Sequence, residues 1–149
     1  MKDRMLETIM LLLLVLSLSA CGSNIKVGDE SEHITDTKQG VSMTVLKSSA
    51  TSATYQITNE TGDEVLTGND HSISIEVEQD SVWYQIEVER WSTTSEALVI
   101  GNEQTREMST SWNRTYGHLP KGHYRILKGC WIDGDSREEF VLSAEFDIG

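Results

Sequence analysis

The chain has 149 residues, a formal net charge of −12, two cysteines and a single proline. That length supports one domain around one core. So large an acidic excess argues against nucleic acid as a partner and against electrostatic docking on anionic lipid.

In chain order, Lys2 and Arg4 lead into the apolar run IMLLLLVLSLSAC. The run falls short of the about 20 apolar residues that a bilayer span needs, and it reads as a secretory signal. It closes on Leu18-Ser19-Ala20-Cys21, an aliphatic residue, two small residues and a cysteine. This resembles the bacterial lipobox, which implies cleavage between Ala20 and Cys21 and a diacylglycerol on the Cys21 sulfur. Residues 1–20 are then a lipoprotein signal peptide. The mature chain is expected on the outer face of a bacterial cell membrane, because two acyl chains anchor stably where one is marginal. Asp3 and Glu7 cancel Lys2 and Arg4, so the mature protein keeps the acidic excess.

Residues 21–40 are polar, acidic and without periodicity, the composition of a flexible tether after the lipidated cysteine. A coil of about 18 residues would hold a domain roughly 25 Å from its anchor.

From residue 41 to 149 the hydrophobic period is two, the mark of half-buried strands. Val41, Met43 and Val45 form the first stripe, and Ala53, Tyr55 and Ile57 the second, before the turn signal Asn59-Glu60-Thr61-Gly62. Ile73, Ile75 and Val77 form a third, and Gln79-Asp80-Ser81 predicts a tight reversal into Tyr84, Ile86 and Val88. Met108, Thr110 and Trp112 give a fifth. Tyr124, Ile126, Cys130 and Ile132 give a sixth that Lys128 interrupts, and Phe140, Leu142, Ala144, Phe146 and Ile148 give the seventh. No window carries an amphipathic helix. About seven short antiparallel strands predict an all-β sandwich, immunoglobulin-like or fibronectin-III-like.

Leu119-Pro120-Lys121-Gly122-His123-Tyr124 has the form of a tyrosine corner, in which the Tyr124 hydroxyl returns to upstream backbone. Pro120 supplies a fixed φ and Gly122 a permissive one. The stretch SWNRTYGHLPKGHYRILK, followed by a turn and FVLSAEFDI, resembles the C-terminal half of a bacterial Ig-like domain found in Gram-positive lipoproteins. The matching residues are Trp112, Tyr116, Gly117, Leu119, Pro120, Gly122, Tyr124, Arg125, Ala144 and Phe146. The resemblance implies the sandwich fold and an envelope location, and carries no ligand with it. Cys130 lies six residues after Tyr124, where the antibody pattern has two, and Cys21 is expected to carry lipid. Cys130 is therefore expected to be a buried, unreactive thiol without a disulfide.

Catalytic chemistry has no visible constellation here. There is no Gly-x-Ser-x-Gly elbow, and His33, His71, His118 and His123 do not show the clustered spacing of a zinc site. The acids around Asp133-Gly134-Asp135 miss the EF-hand pattern and suit a hairpin turn instead. Glu76/Glu78 and Glu87/Glu89 alternate with inward residues and so are expected to be solvated. The expectation is a non-enzymatic protein without metal or cofactor, tied to the membrane through Cys21 and binding an envelope protein or glycan. A structural spacer or accessory subunit is the alternative, with an ion-binding or hydrolytic envelope protein behind it.

If the segments at 73–79 and 81–89 share a sheet with the last two strands, parity assigns a partner face. Trp83 and Gln85, His123, Arg125, Leu127 and Trp131, Val141 and Ser143, and Ser74, Glu76 and Glu78 then point outward together. Tryptophan and arginine dominate interface energetics, so Trp83, Arg125, Leu127 and Trp131 are the candidate contact residues.

Overall fold

The computed structural model describes residues 25–33, 38–88, 96–133 and 137–149. Ala20 and Cys21 lie outside the described residues, as do Gly134 and Asp135 of the hairpin turn. Within them the seven predicted stripes are all strands: β2 (Val41–Ser48), β3 (Ser52–Asn59), β5 (Ser74–Gln79), β6 (Val82–Ile86), β8 (Gln104–Ser111), β9 (Gly122–Ile132) and β10 (Glu138–Ile148). Three more were not legible from periodicity: β1 (Val27–Glu30), β4 (Val65–Gly68) and β7 (Ala97–Ile100). Each is four residues long, too short for alternation to show.

All pairings are antiparallel and form two sheets, as an immunoglobulin-like sandwich requires. β2, β3 and β8 make the smaller sheet in that order. The larger runs β1-β6-β5-β9-β4-β7, with β10 along the other side of β9. β9 organises this sheet. One edge pairs β10 along its whole length, from Gly122↔Ile148 to Ile132↔Glu138. The opposite edge is divided, residues Tyr124 to Leu127 pairing β5 and Cys130 to Ile132 pairing β4. β5 and β6 thus share a sheet with β9 and β10. The reversal between β5 and β6 is a two-residue turn with Asp80 and Ser81 both left-handed (φ 51° and 65°), the conformation that matches the twist of a hairpin.

Inward residues of both sheets form one core. Tyr55 and Ile57 of β3 and Met108 of β8 meet Tyr124 and Ile126 of β9, Phe146 of β10 and Ile75 of β5, all buried. The Phe146 ring lies 5.7 Å from Trp112 and 5.6 Å from Tyr124, a packed aromatic row. Trp112 donates its Nε1–H to the Ala50 carbonyl at 3.0 Å, so its burial leaves no polar atom stranded. Gly40 lies at φ +83°, and a Cβ there would sit 3.0 Å from the Glu60 carbonyl oxygen. Glycine is needed at that crossing.

Three expectations require correction. Within residues 21–40, expected as a flexible tether, Val27–Glu30 form a strand instead, β1 pairing the edge of β6 (Val27↔Ile86, Glu30↔Tyr84). The Glu87 and Ser31 amides extend that pairing, donating to the Lys26 and Trp83 carbonyls at 2.8 Å each. Composition concealed the strand because an edge strand is held by backbone hydrogen bonds, and its side chains can stay polar. Glu76 is buried rather than solvated, at 1% exposure. Lys128 does not break its stripe; it is buried on it, also at 1%. Its ammonium donates to the carbonyl of Gly68 (3.0 Å) at the end of β4, and to those of Asn69 (2.5 Å) and Ser72 (3.0 Å) in the β4–β5 connection. All three donors are used, which satisfies carbonyls that would otherwise need partners in the interior. Burial lowers the Lys128 pKa to about 8, while the neighbouring Cys130 and Asp70 pull it upward.

Candidate functional site

The outward residues of the larger sheet fall into lateral rows fixed by register. Glu78 of β5 stands opposite Trp83 of β6, and His123 of β9 opposite Asp147 of β10. One step along, Gln85, Glu76, Arg125 and Glu145 are successive cross-strand neighbours. Beyond them Ser74, Leu127 and Ser143 follow.

Arg125 is 8% exposed and lies beneath this surface rather than upon it. Its Nη2 is 2.6 Å and its Nε 2.7 Å from Glu76 Oε2. Ser31, just past β1, donates its hydroxyl to the other Glu76 oxygen at 2.5 Å. The carboxylate therefore has both oxygens bonded, which a buried ion pair needs if its attraction is to offset desolvation. The guanidinium carbon also sits 4.5 Å from the centroid of the Trp83 ring. Leu127 is buried as well, at 4%. Of the four expected contact residues, only Trp83 and Trp131 keep partial exposure, and the other two support the surface from below. The expectation misplaced Arg125 and Leu127 because parity gives a direction, while depth depends on neighbouring strands.

The tryptophans do not form one patch. Trp83 lies near the His123 end of β9, and Trp131 is eight residues further along that strand, roughly 25 Å away by strand rise. Trp131 has its own cation, with the Arg137 guanidinium carbon 4.5 Å from its ring centroid.

At the Trp83 end the remaining polar groups converge on His123. Its Nδ1 is 2.8 Å from Asp147 Oδ1 and its Nε2 is 3.2 Å from Glu145 Oε2. Its ring lies 5.6 Å from Trp83 at a 41° tilt. The hydrogen bond to Asp147 raises the His123 pKa above the ordinary histidine value; partial desolvation opposes it and Glu145 adds to the rise. Sequence reasoning passed over Ser31, Glu145 and Asp147. The last two had a signal, since they alternate with Ala144, Phe146 and Ile148 and so share the outward face. Ser31 had none.

The residues of the expected corner converge. Tyr124 donates its hydroxyl to the Pro120 carbonyl at 2.7 Å. The Leu119 amide donates to the Ala50 carbonyl at 2.9 Å, and the Leu119 side chain is buried. Gly122 plays a different part from the one expected. It does not have a positive φ; instead, a Cβ at that position would lie 3.2 Å from the Tyr124 ring. Cys130 is a buried free cysteine. Burial pushes its thiol pKa up, with Thr67 and Lys128 opposing, so it is a poor nucleophile. His71 shares a hydrogen bond with Thr110, and His33 is exposed. Among the described residues no three His, Cys, Asp or Glu side chains gather as a metal site would require.

A family model described as a bacterial Ig-like domain matches residues 37–147. Among curated proteins none matches the chain.

Proposed function

We infer, since the chain belongs to the bacterial Ig-like domain family, that it works as a non-catalytic binding module held at the cell envelope. The observation that carries this reading is the outer face of the larger sheet. There a half-buried tryptophan and a ring of charged side chains stand on paired strands, with Glu76 and Arg125 bracing them from below. Rigid strands present contact groups at low entropic cost, which favours binding over mere support. Buried Cys130 and a histidine engaged by two carboxylates offer no nucleophile and base in register, which argues against hydrolysis.

The lipobox at Leu18 to Cys21 supports attachment to the outer face of the cell membrane. Five residues, 22–26, separate Cys21 from the first strand residue, Val27. Fully extended, that link reaches about 20 Å. A domain kept so close to its anchor is poorly suited to be a spacer. Crosslinking of intact cells, followed by purification of the full chain, tests the binding reading. It should recover an envelope protein or glycan at levels above those from a lipid-anchored control domain. Recovery of lipid alone would favour the spacer, and turnover in a substrate screen would overturn the non-catalytic assignment.

A further inference from the structure

We propose that the Trp83 end of the outer sheet face is a docking surface for a cationic partner segment, one bearing lysine or arginine side chains. This rests on the binding-module reading and names the partner's chemistry.

Three outward carboxylates, Glu78, Glu145 and Asp147, surround the row of Trp83 and His123. The charge of Arg125 is already matched by Glu76 in the buried pair, so it does not offset them. The indole, for its part, already packs against one cation of its own chain, the Arg125 guanidinium 4.5 Å from its centroid, and against the His123 ring at 5.6 Å. His123, when protonated, is a planar cation held in this way, bridging Asp147 and Glu145 through its two ring nitrogens while lying against an aromatic ring. A guanidinium or ammonium from outside makes the same set of contacts: charge-assisted hydrogen bonds to carboxylates and a cation–π contact to the indole. The acidic chain as a whole adds long-range attraction for such a partner.

The internal histidine makes the surface pH-sensitive. The groups around it are Glu145 and Asp147 on β10, Arg125 on its own strand, and Glu76 and Glu78 on β5; β6 contributes the uncharged Trp83 and Gln85, and Lys121 precedes the strand. Protonated, His123 occupies both carboxylates as their counterion. Neutral, it releases that role. Affinity for a cationic partner therefore rises as pH increases through the His123 pKa, which lies above the ordinary histidine value.

The test uses the full chain in detergent micelles and fluorescein-labelled octalysine, with polarisation read at low and physiological salt. Saturable binding is expected, weaker at higher salt. Glu145→Gln with Asp147→Asn should lower affinity by about tenfold, and Trp83→Ser by about fivefold. Neutralising a distant pair, Glu60→Gln with Asp63→Asn, should change little. His123→Gln should remove the rise of affinity with pH. Urea melting of each variant separates lost binding from lost fold, and Trp83→Phe, which keeps the ring, should retain most of the affinity. Equal loss from the distant pair would show that bulk acidity alone attracts the probe, and would overturn the proposal. Octaglutamate or a neutral oligosaccharide binding at the same residues would also overturn it. If octalysine fails while crosslinks to an envelope partner map elsewhere, this surface is refuted and the binding module stands.

Discussion

Tyr124 meets the Phe146 ring on one side and sends its hydroxyl to the Pro120 carbonyl, while Gly122 leaves room for the ring. Tyr124→Phe keeps the packing and strands the carbonyl. Urea unfolding should show a loss of roughly 1 to 3 kcal/mol with the fold intact. Equal stability would mean the bond contributes nothing. Lys128 gives a pH-dependent prediction. Its folded pKa is about 8, below the usual 10.5, so between those values the unfolded chain binds more protons than the folded one. This group's contribution therefore makes stability rise with pH across that window. Cys130 has the opposite effect, because its raised thiol pKa lets the unfolded chain ionise first. Lys128→Met removes the first contribution and keeps the second. Its urea midpoint should fall relative to the parent's as pH rises from about 7 to about 10. Parallel midpoints would show that the amine is not the titrating group.

At the scale of elements, β9 does the most joining, since it pairs three strands and carries both Arg125 and Lys128. Arg125 ties β9 to β5 through Glu76, and Ser31 brings the end of β1 to the same carboxylate. Three strands are thus fastened at one buried charge pair. Arg125→Met leaves the Glu76 carboxylate buried without its cation and should cost about 3 to 5 kcal/mol. The double variant Glu76→Met, Arg125→Met should recover most of that loss, because no uncompensated charge remains. A single variant as stable as the double would show that water reaches Glu76. β1 is the element whose function is clearest from its position. It covers the edge of β6 that would otherwise be open to pairing with another chain.

For the whole molecule, direction along the strands matters. Val27 pairs Ile86, so the chain enters at that end of β6, while the Asp80–Ser81 turn, His123 and the end of β10 lie at the other. The Trp83 surface thus lies toward the opposite end of β6 from the Val27–Ile86 pairing. Cys21→Ser, followed by cell fractionation, should move the protein out of the membrane fraction and leave its precursor uncleaved. A processed variant still in the membrane would sink the anchorage.

Period-two alternation alone was enough to locate seven of the ten strands among the described residues, because side chains on a strand that faces a core must alternate with those that face water. The sandwich followed from their number, and the turn at Asp80 from its residue types. Tertiary structure decided the rest. β1, β4 and β7 exist because a neighbouring edge offers backbone partners, and backbone hydrogen bonding leaves little trace in side-chain type. Parity correctly turned Arg125, Leu127 and Glu76 outward, yet all three are buried. Whether an outward residue meets water depends on what lies across the sheet, here Trp83 and a serine from β1's end that is 94 residues from Arg125 in the chain. Lys128 is the sharpest case. A lysine on a core stripe reads as an interruption until the end of β4 and the loop after it supply three carbonyls to receive it, and only the folded chain brings that segment to the lysine.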